Sequence, residues 1–98
     1  MTRDKAIVRI KRALRRRSGR VWSVRGGTNI FYGKITITTL SRDRDERGKM
    51  QYADRKTLRE LLGLSELPHE DGIRIGTLED YQEYVDRAEG WFPRVIAD

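Results

Sequence analysis

Lys5, Arg9, Arg12 and Arg16 recur at intervals of three and four residues, so a helix through them sets four cations in one stripe. Such a helix rises about 16 Å between Lys5 and Arg16, the length of four or five phosphates along one nucleic-acid strand. The stripe contains no acid, whereas a face selected for solubility alone usually mixes both signs. Phosphate contact is the chemistry it offers, and a solvated face of good helix formers is the plain alternative. Arg17 follows, and Arg20, Arg25 and Lys34 then surround the aromatic residues Trp22, Phe31 and Tyr32. Cations among aromatic faces suit single-stranded nucleic acid, which is held by base stacking together with backbone neutralisation. Strand alternation assigns Trp22 and Phe31 to the core and leaves Tyr32 outside as the stacking residue. Arg25-Gly26-Gly27 is a single RGG triplet, and a tight turn accounts for its glycines.

Other chemistry is poorly provided for. His69 stands beside Glu70 and Asp71, but no second His or Cys lies at metal-ligand spacing, so neither a metal nor another cofactor is expected. Ser18, Ser23, Ser41 and Ser65 have no recognisable base arrangement, and no phosphate-binding glycine loop of nucleotide-binding type occurs. No catalytic residue is assigned, and the chain reads as non-enzymatic.

The elements that must position these residues follow from periodicity. Ala6, Ile7, Ile10, Ala13 and Leu14 recur at helical spacing from Asp4 to Arg17, opposite the cations, and Gly19 is placed to end the helix. Residues 20–25 and 30–40 are rich in β-branched and aromatic residues around Gly26-Gly27-Thr28-Asn29, the pattern of a β-hairpin. Its inward set is Trp22, Val24, Phe31, Ile35 and Ile37; its outward set is Tyr32, Lys34, Thr36 and Thr38, with Gly33 a bulge or a close approach. The run S-R-D-R-D-E-R-G-K at 41–49 alternates charge and offers nothing to bury, so a flexible solvated loop is expected, with a short strand added at 49–52. Leu58, Leu61 and Leu62 mark a short second helix stopped by Gly63, with Leu64 folding back. Ile73 and Ile75 alternate about Arg74 as a third strand. Thr77 then caps a last helix with the apolar stripe Leu78, Tyr81, Val85 and Ala88, ended by Gly90. The order α-β-β-α-β-α predicts a single α+β domain over residues 1–98, a small antiparallel sheet (the β-hairpin plus a short strand) covered by three helices.

Charge divides sharply along this plan. Residues 1–34 hold eleven Lys or Arg against Asp4, a net +10, while the other 64 residues carry ten bases and fourteen acids, a net −4. Part of that acidic excess, Glu79, Glu83 and Asp86, falls on the polar face of the last helix. The chain has no Cys, and its apolar runs are only a few residues long, so neither a disulfide, a transmembrane helix nor a membrane partner is expected. Its N-terminus is basic without an apolar core of the secretory type, and the expected location is the cytoplasm.

The W-S-V-R-G-G stretch at 22–27, Tyr32-Gly33, L-L-G-L at 61–64 and the Y-x-E-Y-x-x-R-A-E-G pattern from Tyr81 to Gly90 together resemble a family of small uncharacterised bacterial proteins found in cyanobacteria and actinomycetes. The resemblance covers most of the chain after Arg12, rests on structural motifs and implies no activity.

Two functions remain open. In one, a small binding protein contacts RNA or DNA phosphates through Lys5, Arg9, Arg12, Arg16, Arg17, Arg20, Arg25 and Lys34, with Tyr32 stacking. In the other, a protein interaction module docks its oppositely charged helix faces on complementary surfaces, such as an acidic protein. A homodimer is one form of the second reading, with Lys5, Arg9, Arg12 and Arg16 facing Glu79, Glu83 and Asp86 of another copy. Exposed pairs contribute on the order of 0 to 1 kcal/mol each. Such a dimer also needs the apolar tail Trp91-Phe92-Pro93-Arg94-Val95-Ile96. The simplest expectation for Trp91 is that it folds back on the last helix.

Overall fold

Helix α1 (Arg3–Ser18) begins at Thr2, whose hydroxyl accepts the Lys5 N–H, and ends at Gly19 in the left-handed region, φ 75°. The computed structural model describes residues 1–76 and 78–92, the side chains of Leu78 and Glu79 apart. The expected Thr77 cap, the Leu78 and Glu79 side chains and the tail beyond Phe92 lie outside the described residues. Strands β1 (Trp22–Gly26), β2 (Ile35–Thr39) and β3 (Ile73–Ile75) form one antiparallel sheet in that order. Helices α2 (Tyr52–Leu62) and α3 (Leu78–Ala88) complete the α-β-β-α-β-α order of an α+β fold.

The register pairs Val24 with Ile37 and Gly26 with Ile35, then Ile35 with Ile75 and Ile37 with Ile73. Because side chains alternate across a pleat, these apolar residues share one face with Trp22, and α1 and α3 pack on it. Ile10 and Leu14 of α1, Tyr81 and Val85 of α3, and Leu58 and Leu62 of α2 close the core. α2 leans mainly on the other two helices rather than on the sheet. Ser23, Arg25, Thr36, Thr38 and Arg74 occupy the opposite face of the sheet.

Four local expectations need correction. The hairpin connection is longer than a 26–29 turn: Asn29–Phe31 form a 3₁₀ turn and β2 starts at Ile35. Phe31 is therefore not a core residue but is 53% exposed, because the 3₁₀ turn ends the strand alternation that assigned it inward. What holds this connection is Arg3, which donates to the Gly27 and Tyr32 carbonyls, and the Tyr81 hydroxyl, which donates to the Gly33 carbonyl. A Cβ on Gly27 would come within 2.0 Å of the Phe31 carbonyl oxygen, so close backbone approach explains this glycine of the RGG triplet.

No strand forms at 49–52: Met50 is buried, its N–H donates to the Glu70 carbonyl, and α2 starts at Tyr52. No residue of the 41–49 run is buried, as its charge pattern led one to expect, but the run makes specific local bonds. Ser41–Asp43 form a 3₁₀ turn, Arg44 donates twice to the Thr39 carbonyl, and Asp45 accepts the backbone N–H groups of Arg47 and Lys49. Finally, the Trp91 N–H reaches back to the Asp86 carbonyl, as a helix C-terminal motif requires, but the Trp91 ring is 74% exposed and not folded onto α3.

Candidate nucleic-acid interface

The outer face of α1 brings together the four stripe residues Lys5, Arg9, Arg12 and Arg16, all exposed. Lys11 and Arg15, absent from the four-residue stripe, widen the surface along its other edge. At about 100° per residue they fall beside Asp4 and Val8, so the solvent arc of the helix was legible but wider than the stripe taken from it. Lys5, Lys11, Arg12, Arg15 and Arg16 have no ion-pair or hydrogen-bond partner for their side chains among the described residues. The last turn of α1 carries Arg15, Arg16 and Arg17, where the C-terminal end of the helix dipole favours cations.

The remaining cations are drawn into the fold to different extents. Arg9 makes a two-pronged pair with Glu89, the residue that follows α3, Nε to Oε2 at 3.1 Å and Nη2 to Oε1 at 2.6 Å. That bond to Glu89 raises the guanidinium's already high pKa. The basic and acidic helices thus meet within one chain, because α1 packs against α3. On the acidic face, Glu83 pairs with Arg87 at 3.2 Å, and Asp86 accepts from Gln82 at 2.8 Å.

Arg17, expected among the phosphate-contacting residues, is engaged within the fold. On the helical wheel it falls between Ala6 and Ile10, toward the packed side, and its Nη1 donates to Leu61 O (2.6 Å), Ala88 O (2.7 Å) and Arg87 O (3.1 Å). Those carbonyls close the last turns of α2 and α3, where a helix leaves its acceptors without intrahelical donors. Arg20 is likewise engaged, with Asp54 at 2.7 Å, Asp43 at 3.4 Å and the Trp22 ring 4.7 Å from its guanidinium carbon.

Tyr32 is exposed as expected, but the Arg3 guanidinium lies 3.7 Å from its ring centroid and covers one π-face. Lys34 sits 5.3 Å over the Phe31 ring. Arg25 projects from the sheet face opposite α1, so it does not join the helix surface. The nine expected residues therefore separate into a helical group, two structural guanidiniums, a loop pair and one residue on the far side.

His69 plays a local part. Its Nδ1 accepts the Asp71 N–H at 3.0 Å, and among the described residues no group of three or more His, Cys, Asp or Glu could hold a metal ion. Among the same residues no helix is long and apolar enough to cross a membrane. No family model, curated protein or solved structure matches this chain.

Proposed function

We propose that this chain is a non-enzymatic, cytoplasmic nucleic-acid-binding protein whose outer α1 face contacts phosphates. The observation that carries the reading is that Lys5, Lys11, Arg12, Arg15 and Arg16, on one exposed helix face, have no side-chain partners among the described residues. Nearby cations with acids or carbonyls in reach are already engaged; these five are not. Tyr32 and Lys34 extend the surface beyond the N-terminal end of α1, joined to it through Arg3.

If all five cations neutralise phosphates, log K falls against log salt with a slope of about −3.5 for single strands and −4.5 for duplex. Affinity then drops roughly 130- to 500-fold between 50 and 200 mM salt. Fluorescence anisotropy with a labelled 20-mer, single- and double-stranded, measures this directly. Absence of binding to both polymers at 50 mM salt would overturn the proposal.

The second reading, a protein interaction module, is favoured by a different observation: Trp91 and Ile30 are 74% and 89% exposed. Its charge-driven homodimer form has a competitor in the Arg9–Glu89 pair, which satisfies one stripe residue inside the same chain. A monomeric mass by light scattering, unchanged between low and high salt, removes the homodimer.

A further inference from the structure

The sheet face turned away from α1 holds a polar cleft that the helix surface does not explain. Its floor is Ser23 and Thr38, register partners on β1 and β2, which are 7% and 8% exposed. Neither hydroxyl has a hydrogen-bond partner among the described residues, and neither oxygen is among the fully buried unpartnered atoms, so both open on the cleft as accessible donors. Both line an open cleft of about 360 Å³, so these groups point to where a ligand would sit.

The next row of the same face is Arg25, Thr36 and Arg74, aligned across all three strands by the register. With neighbouring strands about 4.8 Å apart, two exposed guanidiniums flank a threonine across roughly 10 Å. Arg44 lines the cleft as well, positioned by its two bonds to the Thr39 carbonyl. The one acid in the lining, Asp71, is paired with Lys49. Three guanidiniums and two unpartnered hydroxyls thus converge on one space, with a neutralised carboxylate at its edge.

We propose that this cleft binds a phosphate monoester dianion. The planar fork of Arg matches phosphate oxygens in pairs, and the hydroxyls supply donors at the floor. The outward residues of the sheet include no aromatic ring, so the face has no platform on which a base could stack. Recognition is of the terminal phosphate, carried by a small ester or by the phosphorylated end of a strand. The site lies across the sheet from α1 and does not depend on the helix surface.

The test is an NMR titration of the full chain with inorganic phosphate at pH 7.5, holding ionic strength constant with chloride. Saturable shifts of amides at 22–25, 36–39 and 72–75 are expected, with affinity reduced about tenfold in Arg25→Gln and in Arg74→Gln. Both side chains are exposed and bond to nothing described, so these variants keep the fold, and their amide spectra verify it. Arg12→Glu/Arg16→Glu should leave the phosphate affinity within twofold while abolishing duplex binding, so failure of one surface is distinguishable from failure of the other. A 5′-mononucleotide and oligonucleotides with and without a 5′-phosphate then compete. Displacement by the mononucleotide alone supports a small-ester site, and displacement by the 5′-phosphorylated strand but not its 5′-hydroxyl twin supports a strand-end site. No saturable shift by 20 mM phosphate, shifts confined to α1, or unchanged affinity in both glutamine variants would overturn the proposal.

Discussion

Replacing Arg17 by Ala separates a guanidinium that holds helices together from one that faces solvent. Arg17 Nη1 lies within 3.1 Å of the Leu61, Arg87 and Ala88 carbonyl oxygens, but a nitrogen with two hydrogens fills at most two such bonds well. A buried charge-assisted bond contributes about 1.5–3 kcal/mol, whereas a cation at an exposed helix C-terminus contributes about 0.3–1 kcal/mol. Arg17 serves two helix ends and is itself exposed, so the lower scale applies twice, with a modest hydrogen-bond increment. The expected loss is about 1.5 kcal/mol, or about 6–12 °C in Tm for a domain of this size.

Arg12→Ala is the counterpart. Its side chain bonds to nothing described, so stability should change by no more than about 0.5 kcal/mol. The salt slope for nucleic-acid binding should instead fall by about 0.7–0.9. Thermal unfolding by circular dichroism and anisotropy at four salt concentrations, well below either Tm, measure both quantities. An Arg17→Ala protein with an unchanged Tm and a reduced salt slope would refute the assignment of this residue to the fold.

Three further outcomes follow from the packing. Ser18 Oγ donates to the Leu14 carbonyl and accepts from Trp22 Nε1 at 2.9 Å, so Ser18→Ala strands an indole N–H on a fully buried ring and should cost about 1–3 kcal/mol in urea unfolding; a change below about 0.5 kcal/mol contradicts it. Thr39 Oγ1 is buried with no partner among the described residues, so Thr39→Val, β-branched and of similar shape, should leave stability unchanged or raise it by about 1 kcal/mol, and a lower Tm would show that the hydroxyl is used. The Lys49 ammonium holds the Asp71 carboxyl below its ordinary pKa, and the Lys49 and Arg47 backbone N–H groups help lower that of Asp45. Folded values below the unfolded value of about 3.9 mean that this stabilisation is complete above that pH and is lost as pH falls through the folded values. Carboxyl carbon titration by NMR should give both midpoints below the ordinary value, and midpoints at or above it would reject the contacts.

Much of the architecture was legible because it depends on neighbours close in sequence. The 3.6-residue spacing of Ile7, Ile10 and Leu14, the stop at Gly19 and the fold-back of Leu64 after Gly63 all appear where periodicity and capping place them. Alternation likewise put Trp22, Val24, Ile35 and Ile37 on one sheet face. It failed at Phe31, where contacts to Arg3 and Tyr81, far away in sequence, hold a 3₁₀ turn in place of a strand. Charge alternation at 41–49 did not disclose which of its charges are bonded, because Thr39 and Asp71, which bond Arg44 and Lys49, lie outside it.

The same division holds for the candidate sites. Sequence alone determined that α1 carries a cationic face, since helical spacing fixes which residues share a side. Only the tertiary structure decided which of those cations are free. Arg17 meets carbonyls 44 and 71 residues away, and Arg9 meets an acid 80 residues away. Arg25 and Arg74 acquire a common neighbour in Thr36 only through strand register. A partner's distance through space, which decides whether a charge is satisfied or available, is set by how the elements pack and is not written in local spacing.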